Sequence, residues 1–187
     1  MTLRQALATA AAQLAGDAHL LPQARSDAEL LLLHVLHISR ATLLAHPDRE
    51  LAPSDQAAYE SAISRRLRRE PIQYITGHQE FYGLDLLVTP AVLIPRPETE
   101  HLVEAVLTHF QSRATQPLRI ADVGTGSGAI AIALAAHLPQ ADITALDLSP
   151  EALLVAEANV RQHNLAHRIH FLRSDLLSAI SPAISPE

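Results

Sequence analysis

The sequence contains no cysteine and no tryptophan, and aromatic residues make up only 3% of it. Without cysteine the chain can form no disulfide, no thiolate metal site and no cysteine nucleophile, and this composition is typical of a reducing compartment. Because large aromatic side chains are scarce, we expect the hydrophobic core to consist of leucine, isoleucine, valine and alanine.

An excess of positive charge is also missing, since the formal net charge is −6 and the pI is about 6.0. Nucleic-acid-binding domains usually carry a basic surface, so we expect no direct nucleic-acid binding. The first residues lack the apolar run and cleavage site of a signal peptide, and no apolar run is long enough to span a membrane. These absences predict a cytoplasmic protein that does not associate with membranes.

Residues 1–72 are predicted to form a small all-α bundle of roughly four helices joined by short loops. Thr2 and Gln5 have the spacing of a helix capping box, and so do Ser26 and Glu29. The apolar residues that follow each pair recur at helical spacing, which gives each helix one face for a core.

Four arginines, at positions 65, 66, 68 and 69, lie near the end of this region. They could dock an acidic or RNA-associated partner. A solvated helix face paired with Glu60 and Glu70 is the favoured interpretation, because exposed charges at helical spacing usually serve that purpose.

Residues 73–97 have a different pattern, in which β-prone residues are interrupted by Gly77 and Gly83. This pattern predicts a β-hairpin followed by a proline-stiffened linker. Pro97 suits the first turn of a helix that continues to about Arg113. We expect residues 98–187 to form the third part of the chain, an α/β domain.

The α/β pattern is clearest between Leu118 and Asp147. An apolar strand leads into five residues with three glycines, a helix of small residues follows, and a second strand ends on Asp147. A strand, a glycine turn, a helix and an acid-terminated strand form half of a Rossmann-type unit. Residues 169–173 predict a third strand.

The glycine turn and Asp147 together predict a site for an adenosine-bearing cofactor. Glycine lets the backbone approach a ligand closely, and free N–H groups at the start of the helix would favour an anionic ligand group. Asp147, nineteen residues after Gly128, would accept hydrogen bonds from a ribose diol.

The cofactor could be NAD, because Gly124, Gly126 and Ala129 satisfy the permissive form of the dinucleotide fingerprint. Two features favour S-adenosylmethionine: Asp122 lies two residues before the first glycine, and the third glycine is at 128 rather than 129. A carboxylate at position 122 could hydrogen-bond the cationic methionine amine, whereas it would repel a pyrophosphate.

The eleven histidines show no metal-ligand spacing, so we expect no metal site.

Two stretches together resemble one family. The first contains Glu70-Pro71-Ile72-Gln73-Tyr74-Ile75-Thr76-Gly77, Glu80-Phe81-Tyr82-Gly83 and Leu93-Ile94-Pro95-Arg96-Pro97-Glu98-Thr99-Glu100. The second contains Asp122-Val123-Gly124-Thr125-Gly126-Ser127-Gly128 and Asp147-Leu148-Ser149-Pro150-Glu151-Ala152. Both are similar to the HemK/PrmC family of protein-(glutamine-N5) methyltransferases, which act on peptide-chain release factors.

The resemblance implies a Rossmann-like S-adenosylmethionine-dependent methyltransferase domain, present here as its first three strands. It also implies a helical release-factor-binding domain and a hairpin linker before it, and the glutamine of the release factor's Gly-Gly-Gln motif as methyl acceptor. The cofactor residues carried over by position are Asp122, Gly124, Thr125, Gly126, Ser127, Gly128, Asp147, Asp175 and Leu176. The loop that resembles the segment closing over the active site contains Pro95, Arg96, Pro97, Glu98 and Thr99.

The family's Asn-Pro-Pro-Tyr motif, which follows the fourth strand and carries the chemistry, does not occur in these 187 residues. By the resemblance it would lie beyond Glu187, so the resemblance implies no catalytic residue here, and we expect the 187 residues alone to be inactive as a truncated form. Three alternatives stay open: an NAD-dependent oxidoreductase, an adenine-N6 nucleic-acid methyltransferase, and a non-catalytic release-factor-binding module.

Overall fold

The computed structural model describes residues 1–113 and 116–180. It divides the chain into two compact units, residues 1–76 and residues 77–187. Among the described residues, no helix is both long and apolar enough to cross a membrane.

The predicted α/β domain was expected to continue to Glu187, with the catalytic motif beyond that residue. Residues 181–187, and Glu187 with them, lie outside the described residues. The position of the motif after Glu187 therefore stays a prediction, and the described part of the domain ends at residue 180.

The first unit is helical, as predicted. Its elements are α1 (Leu3–Ala15), a 3-10 turn (Leu21–Gln23), α2 (Ala24–Leu36), α3 (Arg40–Ala45), α4 (Pro53–Leu67) and α5 (Ile72–Thr76). The capping box at the start of α1 is confirmed, because the Thr2 hydroxyl accepts from the Gln5 N–H and the Gln5 side chain accepts from the Thr2 N–H.

The second predicted capping box, Ser26 with Glu29, is wrong. The 3-10 turn runs directly into α2, so Ser26 already lies inside the helix, and its hydroxyl donates to the Gln23 carbonyl. The spacing of a capping box is present, but the backbone at Ser26 is not the extended one that a cap requires.

The core of this unit consists mainly of leucine and alanine, with Tyr59 as its largest fully buried side chain. The Tyr59 hydroxyl donates to the carbonyl of Ala28 in α2 at 2.8 Å. Burial raises the pKa of Tyr59 above its ordinary value, so the phenol stays neutral and serves as a hydrogen-bond donor between α4 and α2.

The arginine cluster at the end of α4 is not simply a solvated face. The Arg66 guanidinium donates to the Asp27 carboxylate at 2.7 Å, and the two side chains are only 12% and 6% exposed. Arg65 pairs with Glu70 and Arg69 with Asp17. The predicted pairing with Glu70 is thus confirmed and that with Glu60 is wrong, since the Glu60 carboxylate accepts from Gln56 instead.

The second unit begins with the hairpin of β1 (His78–Phe81) and β2 (Leu84–Leu87). Its turn residues, Tyr82 and Gly83, both have positive φ, which is the requirement of a two-residue type I′ turn. The hairpin was expected from residue 73, but residues 72–76 form α5, where Pro71 precedes the first helical turn.

A parallel sheet follows α6 (Pro97–Phe110) and confirms the predicted α/β pattern. Its elements are β3 (Leu118–Val123), α7 (Ala129–His137), β4 (Ala141–Asp147), α8 (Pro150–Gln162) and β5 (Ile169–Arg173). The strand order is β3-β4-β5. Because the strands are parallel, their carboxyl ends meet at one edge, which is where such sheets bind ligands.

Helix α7 is apolar on all sides, and six of its nine residues are buried. Five of the nine are alanine, whose small side chains allow close contact with the strands and helices around it. A helix that is apolar all round belongs in a core, and α7 thereby holds the glycine turn at a fixed place on the sheet.

We expect Arg66→Met to lower the free energy of unfolding by about 3 kcal/mol, because it leaves the Asp27 carboxylate buried without its partner. The matched control is Arg68→Met at the C-cap of the same helix, since the Arg68 guanidinium donates to the exposed Ser64 hydroxyl and its loss should cost at most about 0.5 kcal/mol. Denaturant unfolding of both variants measures the difference. Equal losses would show that the Asp27 contact contributes nothing.

Candidate functional site

The turn between β3 and α7 is held by backbone hydrogen bonds, both to the neighbouring strand β4 and within the turn. The N–H groups of Gly124 and Thr125 both donate to the Leu146 carbonyl of β4 at 2.8 Å, and the Gly128 N–H donates to the Thr125 carbonyl at 2.8 Å. The turn therefore has a defined shape before any ligand binds.

Gly128 satisfies two requirements at once. Its φ is +81°, in the left-handed region, and an added Cβ would lie 3.3 Å from both the Ala156 Cβ of α8 and the Ile132 Cδ1 of α7. Any larger residue would be strained in its backbone and crowded against α8.

Asp122 lies at the end of β3 and is 9% exposed. Its carboxylate accepts a 2.7 Å hydrogen bond from the Thr125 hydroxyl and another from the N–H of Ala131, the third residue of α7. Asp122 therefore acts as a remote cap for α7. We expected free N–H groups here to attract an anionic ligand group, but a resident carboxylate already occupies this end of the helix.

Burial raises the pKa of Asp122 above its ordinary value of 3.8, the nearby Asp147 charge adds to the rise, and the bonds from Thr125 and Ala131 oppose it. Within the described part of the chain, no cationic side chain forms an ion pair with this carboxylate. A buried carboxylate of this kind gains from a positively charged ligand group placed beside it.

Asp147, at the end of β4, is half-buried and faces the same turn. One carboxylate oxygen accepts from the Gly126 N–H at 2.9 Å and the other from the Ser149 N–H at 3.0 Å. Each oxygen keeps a second lone pair, so the carboxylate is fixed in orientation and can still accept from a ligand hydroxyl.

The segment after β5 is connected to Asp147 through its backbone. The Ser174 N–H donates to the Asp147 carbonyl at 3.0 Å, and the Ser174 hydroxyl donates to the Leu176 carbonyl at 2.8 Å. Asp175 is exposed, and Leu176 is 71% exposed. This network places the predicted adenine-flanking residues at the same sheet edge as Asp147.

Sequence reasoning missed Leu148, which directly follows Asp147 and is 60% exposed. An apolar side chain that stays exposed beside a cluster of polar groups is typical of a ligand site. Its position immediately after the strand-terminal acid was the signal available in the sequence.

The predicted active-site loop spans the start of α6: Pro95 and Arg96 precede the helix, and its first three residues are Pro97, Glu98 and Thr99. Pro95 is buried, Arg96 precedes the helix in an extended conformation, and Pro97 is its first residue. Among the described residues, no hydrogen bond joins this segment to the glycine turn, so its place in the site stays a prediction.

Asn159 of α8 was also missed. It is fully buried, and its carboxamide bonds the Ser127 carbonyl in the turn and both backbone groups of Leu87 in β2. In the sequence it is one polar residue on an amphipathic helix, and nothing in its spacing marks it.

The described ranges contain no group of three or more histidine or acidic side chains placed to hold a metal.

Two sequence families match the chain. The one described as PrmC N-terminal domain covers residues 5–77, and the one described as Methyltransferase small domain covers residues 99–184. The chain thus joins a region similar to the PrmC N-terminal domain to a region similar to the Methyltransferase small domain. Its two matched regions account for most of the helical unit and most of the α/β unit.

Curated relatives of this chain carry the name release factor glutamine methyltransferase. The protein from Koribacter versatilis (strain Ellin345) is 53% identical over 97% of this chain and 63% of its own length. The one from Moorella thermoacetica is 48% identical over 96% and 62%, and that of Escherichia coli (strain K12) is 44% identical over 84% and 55%. The chain thus spans less than two thirds of the length of these relatives.

We expect Gly128→Ala to lower the free energy of unfolding by about 2–4 kcal/mol, from left-handed backbone strain plus crowding against Ala156. Gly77 has nearly the same φ, +80°, and open space around its Cα, so Gly77→Ala should cost only the backbone part, about 1–2 kcal/mol. Denaturant unfolding separates the two. If both variants lose the same free energy of unfolding, Ala156 moves away from the new methyl group at no energetic cost.

Asp122→Asn should raise the free energy of unfolding of the chain at neutral pH. Since the folded-state pKa is raised, the contribution of this carboxyl to stability is present below about pH 3.8 and lost as the pH rises through the folded value. The variant's advantage should therefore grow from pH 4 to pH 7 in urea unfolding.

Thr125→Val should instead lower the free energy of unfolding at neutral pH, because it removes a hydrogen bond that favours the ionised Asp122 carboxylate. Its loss of stability should be larger at pH 7 than at pH 4. If the stability difference between each variant and the wild type is the same at pH 4 and pH 7, Asp122 does not titrate as its burial requires.

Proposed function

We propose that the α/β unit carries an S-adenosylmethionine site, and that the protein to which this chain belongs transfers the methyl group to the glutamine of the Gly-Gly-Gln motif in release factors. The names of the curated relatives support the reaction and the acceptor. The residues around the glycine turn support the choice of cofactor.

The observation that carries the cofactor proposal is Asp122. A pyrophosphate at the start of α7 would meet a buried carboxylate, which disfavours NAD. The ammonium group of a methionine moiety would instead neutralise this carboxylate and offset the cost of its burial. The burial of the Asp122 carboxylate at this end of the helix therefore supports a site that a cationic ligand group completes.

The other groups at this edge fit the rest of the cofactor. Asp147 has free lone pairs for a ribose diol, and the exposed side chains of Leu148 and Leu176 offer apolar surface for an adenine ring. Asp175 would accept from the adenine amino group. The segment Pro95–Thr99 would close over the acceptor.

When bound, S-adenosylmethionine supplies an electrophilic methyl group on a sulfonium. The glutamine amide is a weak nucleophile, because its nitrogen lone pair is delocalised into the carbonyl. The protein's contribution is therefore to hold the donor so that the amide nitrogen can approach in line with the leaving sulfur, which is catalysis by positioning and electrostatics. Asp122, Asp147 and the glycine turn would provide the fixed donor geometry.

We further propose that residues 1–72 contribute to release-factor binding and residues 73–97 link them to the methyltransferase domain. The protein would act in the cytoplasm, where release factors are found. Its net charge of −6 disfavours direct binding to nucleic acid, which argues against an adenine methyltransferase.

Calorimetric titration of the 187-residue chain with S-adenosylmethionine and with NADH tests the cofactor. We expect saturable binding of S-adenosylmethionine only. Asp147→Asn should weaken it about tenfold or more, because the charged acceptor for the ribose is lost. Asp142→Asn, on the same strand but paired with His170 at the surface, should leave it unchanged. Binding of NADH alone, or equal effects of the two variants, would overturn the site.

The acceptor is tested in the same study with methyl-labelled donor and a purified release factor. The protein at the full length of its curated relatives and this chain are assayed side by side. We expect the longer protein to label the Gly-Gly-Gln glutamine, with no label when that residue is replaced. Label transferred by the 187 residues alone would contradict the expectation that they are inactive. Label on nucleic acid instead would assign the reaction to a different class.

A further inference from the structure

The Asn159 carboxamide connects two parts of the α/β unit that are far apart in sequence. Its Oδ1 accepts from the Leu87 N–H at 2.7 Å, and its Nδ2 donates to the carbonyls of Leu87 and Ser127, both at 2.9 Å. These three partners fix the orientation of the amide group. The side chain is fully buried, so the bonds are shielded from water.

The backbone N–H and C=O groups along one edge of β2 need hydrogen-bond partners, because that edge has no neighbouring strand in the two-stranded sheet. Helix α8 supplies them with side chains: Asn159 bonds Leu87, while Gln162 and His163 each bond the Asp85 carbonyl at 2.8 Å. Of these three side chains, Asn159 is the one whose hydrogen bonds also reach the glycine turn.

The contact with Ser127 fixes a single peptide plane. The carbonyl of the Ser127–Gly128 peptide accepts from Asn159, and the N–H of the same peptide donates to the Thr125 carbonyl. Thr125 in turn donates its hydroxyl to Asp122. A continuous chain of hydrogen bonds therefore leads from the hairpin through Asn159 and the turn to the buried carboxylate.

We propose that Asn159 is a positioning residue that couples the donor site to the β-hairpin, an inference that rests on the proposed S-adenosylmethionine site. Binding of the donor stabilises the turn in the shape that it already has, the turn holds Asn159, and Asn159 holds Leu87. Conversely, opening of the hairpin at Leu87 releases the Ser127–Gly128 peptide and weakens donor binding. The coupling is reciprocal, as linkage requires.

Amide hydrogen exchange of the wild-type chain, followed by NMR with and without S-adenosylmethionine, tests the coupling directly. At a donor concentration 100 times Kd, exchange of the Leu87 N–H should slow by up to about 100-fold. The Tyr82 N–H, at the far end of the same hairpin, bonds Glu100 instead and should not respond. An unchanged Leu87 rate, or equal slowing at Tyr82, overturns the proposal.

Two alanine variants on α8 provide the second measurement. Asn159→Ala should raise the Kd for S-adenosylmethionine about tenfold and abolish the response of Leu87. Gln162→Ala also removes a bond from α8 to β2, but it does not touch the turn, so affinity and the Leu87 response should stay as in the wild type. Equal effects of the two variants would mean that Asn159 is merely structural.

The two hypotheses fail in different ways. A wild-type chain that does not bind S-adenosylmethionine overturns the proposed function and this inference with it. A wild-type chain that binds, but whose Leu87 exchange is unaffected, overturns only the role of Asn159. The wild-type measurement decides the matter even if Asn159→Ala does not fold.

Discussion

Much of the α/β unit depends on one buried carboxylate at the beginning of α7. Asp122, the penultimate residue of β3, accepts from the Thr125 hydroxyl and caps the first turn of α7, so strand, turn and helix are joined at one point. An uncompensated buried carboxylate is unfavourable on its own. The fold tolerates it because two donors reach it, and a cationic ligand group would complete its neutralisation.

A second constraint is the unpaired edge of β2. Backbone groups at such an edge must find partners, and here helix side chains replace a neighbouring strand. Because the same helix face also packs Ala156 against Gly128, α8 meets both the hairpin and the turn. The geometry of the proposed donor site thus depends on residues outside the glycine turn itself.

The repeating parts of this structure could be predicted from the sequence, and the individual long-range contacts could not. The elements from β3 to β4, the third strand and the capping box of α1 were predicted from the spacing of residues that are close together in the sequence. Such elements form mainly through local interactions. Ser26 has the same spacing as a cap, but the preceding 3-10 turn extends the helix past it. Arg66 and Asn159 look like ordinary polar residues on helices, and their roles depend on partners 39 and 72 positions away.

The burial of most of α7 has a consequence for how such a site can diverge. Alanines that fit between strands and helices leave no room for larger side chains, so variation inside α7 would disturb the whole unit before it altered ligand preference. The loops after β4 and β5 are under no such restriction, since Leu148 and Leu176 face solvent. Natural or engineered substitutions in these two loops can therefore change which ligand is recognised, while α7 and the glycine turn stay the same.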